Sequence, residues 1–231
     1  MIAARWGMLL MAALSVLVAS GAMSAHAQAS ALRVEVTAVL GVLAPLFWPG
    51  RAATASGTAW RVVAWSAAVA ASAAIVLFVL RASPWDRVAS AGAMLMAILV
   101  PTHAAAAALE RRWQAATDSG GAARELAGRV MAIVLAALGT LPLWLGPAAE
   151  SLSARLPGIT DFVLGLSPVT HLAVASGDDL LHNAWLYEHS NLAMLAVTTP
   201  ALGTIAWSYA AACALLAIVA LASRRPRQAL N

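Results

Sequence analysis

The sequence predicts an all-α, polytopic membrane protein of about six transmembrane helices, with a re-entrant helical segment between spans five and six. Three observations carry this expectation. First, 62% of the 231 residues are hydrophobic and only 10% are charged, whereas a soluble domain carries about 25% charged residues because its surface must face water. Second, several apolar runs approach the roughly 20 residues needed to cross a bilayer as a helix, and charges bracket them. Third, one apolar stretch, Phe162 to Ala175, is too short to span and is interrupted by Gly165 and Pro168. The length suits a single transmembrane domain over residues 1–231, with no large soluble domain beside it.

The spans are expected at about 8–24, 34–49, 62–80, 88–109, 130–149 and 201–222. The first follows Arg5. The second reaches spanning length only if it begins near Val34 and tolerates Glu35. The third lies between Arg61 and Arg81, and the fourth between Arg87 and Glu110-Arg111-Arg112. The fifth lies between Arg129 and Glu150, and the sixth runs into Arg224-Arg225-Pro226-Arg227. Loops kept in the cytoplasm are rich in positive charge. Placing both termini inside puts Arg5, Arg51, Arg61, Arg111, Arg112, Arg124, Arg129, Arg224, Arg225 and Arg227 on that face, and only Arg33, Arg81, Arg87 and Arg155 outside. The expectation is a multi-pass protein of a bacterial-type inner (plasma) membrane with cytoplasmic ends. Trp48, Trp60, Trp85 and Trp113 fall near span ends, where amphipathic rings settle. Residues 1–27 also read as a cleavable signal peptide, with Ala25-His26-Ala27 before Gln28. An uncleaved first helix is the preferred reading, and cleavage would leave five crossings.

Composition excludes several chemistries. All 14 basic residues are arginine. Without lysine there is neither a P-loop, whose Lys reaches the nucleotide phosphates, nor a Schiff base, so this chain cannot hydrolyse ATP in that way. The single Cys213 builds no disulfide or thiolate cluster and reads as a small buried hydrophobe. The basic balance comes from arginines at membrane ends, so no nucleic-acid partner is expected. Neither a Ser/His/Asp set nor paired mid-span acids appear, so no catalytic residues and no cofactor are expected.

Residues 150–200 form the longest non-spanning stretch and are expected outside. A helix broken at Ser167-Pro168 can sit at membrane depth only where protein or a water-filled cavity satisfies its backbone. This suggests a re-entrant helix packed on neighbouring spans, with Ser167, Pro168, Thr170 and His171 at its gate. The six-span layout, and Ser167-Pro168-Val169-Thr170-His171-Leu172 set against the Asn-Pro-Leu-Thr-Tyr-Leu-like stretch of that family, resemble type-2 ABC (ATP-binding cassette) transporter permeases. The resemblance implies a membrane subunit of an ATP-driven exporter. Such a subunit works with a separate ATPase subunit and a second permease subunit, as a homo- or heterodimer. Two features depart from the family pattern: no amphipathic helix precedes span one, and the first internal loop, 50–61, is short. The linker 110–129 is therefore the candidate ATPase contact, through Arg111, Arg112 and Trp113, although it reads equally as a solvated, charge-anchored loop. The alternative is a non-catalytic anchor or assembly subunit of a larger membrane complex.

Two further groups of polar residues stand out. His171, Asp178, Asp179, His182, Glu188 and His189 are close in sequence, and helical geometry would put Asp178 and His182 on one face. Of these, His171, Asp178, His182 and His189 are weak metal candidates. A solvated polar cap is the preferred reading, since metal sites need converging ligands. His103 follows Pro101-Thr102 within the fourth span, toward its cytoplasmic end, where it is expected to meet water and to serve helix packing. Arg33 and Glu35 read as an interfacial pair or as separate snorkelling charges.

Overall fold

The computed structural model describes residues 29–80, 84–114, 120–153, 155–156, 158–177 and 200–222. All its regular elements are helical. α1 spans Ala29–Leu43 and runs into a 3-10 turn at Ala44–Phe47; α2 spans Ala55–Val79 and α3 spans Trp85–Gln114. α4 is Gly120–Gly139, α5 Leu141–Ser153, α6 Ile159–Leu166, α7 Pro168–Ser176 and α8 Leu202–Ala222. Two of them, α2 and α3, are long and apolar enough to cross a membrane, and a third crossing arises if α6 and α7 are counted as one bent span.

α3 is the hub, packing against α1, α2, α4, α7 and α8. Its buried face repeats at helical spacing through Val88, Ala91, Leu95, Ile98, Leu99, Thr102, His103 and Ala106. α2 packs against it and buries Val69, Ala73, Val76 and Leu77 in the same apolar core. Small residues let the two backbones approach: a Cβ added at Gly92 would lie 3.9 Å from the Ala70 carbonyl. Close approach matters in lipid, where van der Waals packing rather than water exclusion holds helices together.

The turn after α1 is tighter still. A Cβ on Gly128 would collide with the Pro45 carbonyl, so only glycine lets α4 pass the 3-10 turn. Pro101 sits inside α3 without ending it. It supplies no N–H to the preceding turn, and Thr102 Oγ donates to the Ile98 carbonyl at 2.7 Å.

The helices depart from the expected spans in several places. The first expected span, 8–24, lies outside the described residues. The loop 50–61 is largely helix, since α2 begins at Ala55, where Thr54 caps it by accepting from Gly57 N–H at 3.1 Å. The linker 110–129 is likewise mostly helix, shared between α3 and α4.

The expected fifth span, 130–149, is not one helix. α4 ends at Gly139, Thr140 is a turn, and α5 starts at Leu141. The cause is Pro142: it has no N–H for the Leu138 carbonyl, and its ring crowds that carbonyl in a continuous helix. Neighbouring side chains take up the carbonyls at the break. Trp144 Nε1 donates to the Ala137 carbonyl at 3.2 Å, and Thr140 Oγ donates to the Ala136 carbonyl at 2.8 Å.

Candidate functional site

The short helices α6 and α7 meet at Ser167 with a bend of 82°. Local chemistry explains the bend. Ser167 has extended backbone, φ −82° and ψ 118°, which is what the residue before a proline prefers. Pro168 then opens α7 at its first position, where a missing N–H costs nothing. The Ser167 side chain accepts from Thr170 N–H at 3.5 Å as the N-cap, and its hydroxyl donates to the Gly139 carbonyl at 3.1 Å. This places the bend directly against the break between α4 and α5. Gly139 leaves just enough room, since a Cβ there would stand 3.1 Å from Val169 Cγ2. The Ser167 hydroxyl of one break therefore satisfies the Gly139 carbonyl of the other.

His171 spans the bend from the other side. Its Nε2 lies 3.0 Å from the Gly165 carbonyl and its Nδ1 lies 2.8 Å from the Tyr209 hydroxyl. A carbonyl only accepts, so Nε2 carries the proton, and in the neutral ring Nδ1 accepts from Tyr209 O–H. The two rings meet edge to face, with centroids 5.5 Å apart. One imidazole thus ties α6, α7 and α8 together.

At its far end α7 closes with Gly177 in the left-handed conformation, φ +67°, the usual helix stop. Arg33 of α1 donates from Nε and Nη2 to the Ser176 carbonyl at 3.1 and 2.8 Å. The Arg87 guanidinium lies over Gly177, 3.1 Å from where a Cβ would be. Both cations face the negative end of the α7 dipole. Of the two readings the sequence offers for Arg33, an interfacial pair with Glu35 or a separate snorkelling charge, the second does not hold: Arg33 is 4% exposed and bound to backbone. Glu35 is exposed. Thr170 Oγ and Ser176 Oγ are buried without a hydrogen bond among the described residues.

Sequence reasoning missed a second polar cluster, which lies between α2, α3 and the 48–51 segment. His103 is fully buried rather than wetted. Ser66 Oγ donates to the Val62 carbonyl at 2.8 Å and lies 2.9 Å from His103 Nδ1, a pair best formed with the proton on Nδ1. Trp48 stacks on the His103 ring at 5.4 Å and donates from Nε1 to Glu110 at 3.0 Å. Glu110 also accepts from Arg51 N–H at 3.0 Å and from Gln114 Nε2 at 3.1 Å. Its spacing offered one signal: His103 and Glu110 stand two helical turns apart and share a face of α3. Glu110 nevertheless reads as one of the solvated charges ending a span, whereas it is 3% exposed.

The other expected site residues divide by position. Arg111 and Arg112 are exposed at the end of α3, beside the half-buried Trp113. Cys213 is half-buried in α8. Asp178, Asp179, His182, Glu188 and His189 lie outside the described residues, so only His171 of the metal candidates is placed. Its two nitrogens are engaged by Tyr209 and Gly165, and no group of three or more metal-binding side chains occurs among the described residues. Comparison with family models, with curated proteins and with solved structures finds no match.

Proposed function

We propose that this chain is the membrane-spanning permease subunit of an ATP-driven exporter, working with a separate ATPase subunit and a second permease subunit. The observation that carries this reading is the 82° bend between α6 and α7 at Ser167-Pro168. It interrupts an apolar segment, and the Gly139 carbonyl, His171 and Tyr209 hold it in place. A helical hairpin of this kind, entering from outside between spans five and six, would serve as an external gate. Rigid-body movement of two subunits would open a path between them. On this reading the protein makes six crossings of the inner membrane, and both ends are cytoplasmic. On the same reading Arg111 and Arg112, exposed next to Trp113 at the end of the central helix, would be the groups that meet an ATPase.

The test is affinity purification of the tagged full-length chain in mild detergent, followed by identification of the co-purifying chains and an ATPase assay. The expected result is a retained ATP-hydrolysing subunit whose retention falls in the Arg111→Glu/Arg112→Glu variant. If redox or other membrane subunits co-purify and no ATPase does, the chain is an anchor or assembly subunit instead.

A further inference from the structure

Two arginines meet at one glycine, and a third follows it in the chain. Gly50 has φ +85°, and a Cβ there would stand 2.8 Å from Arg124 Cδ and 3.4 Å from Glu110 Oε1. Arg61 Nη1 donates to the Gly50 carbonyl at 3.3 Å and to the Arg51 carbonyl at 3.0 Å. Arg51 follows Gly50 directly, and its own N–H is held by Glu110. The 50–51 backbone thus lies between Arg61 of α2, Glu110 of α3 and the Arg124 stem of α4, with Arg51 itself in that segment and Arg111 and Arg112 at the adjoining end of α3. Glu110 is the carboxylate in their midst, and Trp48, Gln114 and the Arg51 backbone occupy its oxygens. Arg51, Arg111, Arg112 and Arg124 form no ion pair among the described residues. Arg129, by contrast, is already paired with Glu125 at 2.6 Å. Trp60, next to Arg61, is 71% exposed, as a ring lying at headgroup level would be.

We propose that this arginine cluster around Gly50 is a binding site for the phosphate of an anionic lipid headgroup. Counting Glu110, the cluster still holds surplus positive charge, and planar guanidiniums match phosphate oxygens in pairs. The surplus sits at the end of α2 and α3, the two helices able to cross the bilayer, where the anion at hand is lipid phosphate. Gly50 lets the Arg124 stem lie against the 50–51 backbone, because a side chain there would occupy its space. This site does not depend on the exporter reading.

The experiment uses the purified full-length chain in detergent doped with phosphatidylglycerol or phosphatidylcholine, with bound lipid read by native mass spectrometry and Tm by intrinsic fluorescence. Phosphatidylglycerol is expected to be retained preferentially and to raise Tm. Each basic residue at a membrane surface contributes about 1 kcal/mol, so Arg51→Gln/Arg124→Gln should weaken retention about 30-fold, while Arg129→Gln leaves it unchanged. The preference of the unaltered protein should also fade at high salt, where charges are screened beyond a few ångströms; this arm stands even if the double variant does not fold. Equal retention of the two lipids, or retention unchanged in the double variant, overturns the proposal. Stabilisation by inorganic phosphate equal to that by phosphatidylglycerol overturns it in favour of a free anion. Loss of a co-purifying protein from the double variant with lipid retention intact overturns it in favour of an acidic protein partner.

Discussion

Ser66, His103, Trp48 and Glu110 show how much a few polar atoms matter in an apolar bundle. Ser66→Ala removes the hydroxyl beside His103 Nδ1 and leaves a buried polar atom without a partner, which costs about 1–3 kcal/mol. A lower Tm in detergent, measured by intrinsic fluorescence, is the expected outcome; an unchanged Tm would show that another group takes over. Gly128→Ala is expected to be worse. Its new Cβ would collide with the Pro45 carbonyl, and backbone cannot swing aside as a side chain does. The readout is the yield of monodisperse protein by size-exclusion chromatography, expected to fall sharply. His103 stood out in the chain, but its partner and the Gly128 contact were not legible there. Ser66 is one small residue among many between Trp65 and Ala74, and nothing local to Gly128 announces that Pro45 will be its neighbour.

At the scale of elements, the bend between α6 and α7 was legible and the break between α4 and α5 was not. Ser167-Pro168 interrupts an apolar stretch that is too short to span, so length and proline agree. Pro142 sits near the middle of an apolar run of ordinary spanning length, so hydropathy hides it, although its missing N–H ends the helix all the same. The bond from Ser167 to the Gly139 carbonyl joins the two interruptions. Ser167→Ala loses both that bond and the N-cap, and a cost of about 0.5–2 kcal/mol follows from the cap alone. Pro168→Ala keeps the Ser167 hydroxyl and should cost less. Comparing the Tm values of the two variants checks the order; if Pro168→Ala is the more damaging, the ring and not the hydroxyl sets the bend.

For the whole molecule, the charge-bracketed apolar runs anticipated α2 and α3, and their antiparallel course puts Arg51 and Arg112 at one end and Pro84 at the other. A topological prediction follows. If the proposed topology with cytoplasmic ends holds, then in a Cys213→Ser background Ala53→Cys is labelled by an impermeant maleimide only after the cytoplasmic face is opened, and Pro84→Cys in intact cells. Labelling of both from the same side would remove α2 as a crossing. At this scale too, the meeting of Arg61, Glu110 and Arg124 about the Gly50-Arg51 backbone becomes a property of the bundle and not of any one segment, since α2, α3 and α4 each contribute to it.

The sequence by itself determined the helical class, the lipid-compatible composition, the positions of α2 and α3, and the bend at Ser167-Pro168. These follow from local quantities: hydropathy summed over a turn or two, charges at run ends, and the backbone limits of proline. The tertiary structure alone decided which polar atoms find each other. Arg33 reaches Ser176 across 143 positions, Trp48 reaches Glu110 across 62, and His171 reaches Tyr209 across 38. Such pairings depend on helix packing and close approach at glycine, neither of which leaves a periodic trace in the chain. The bend therefore appears in the sequence as a proline in a short apolar run. In the folded protein it is the place where α4, α6, α7 and α8 share their unsatisfied backbone and side-chain groups.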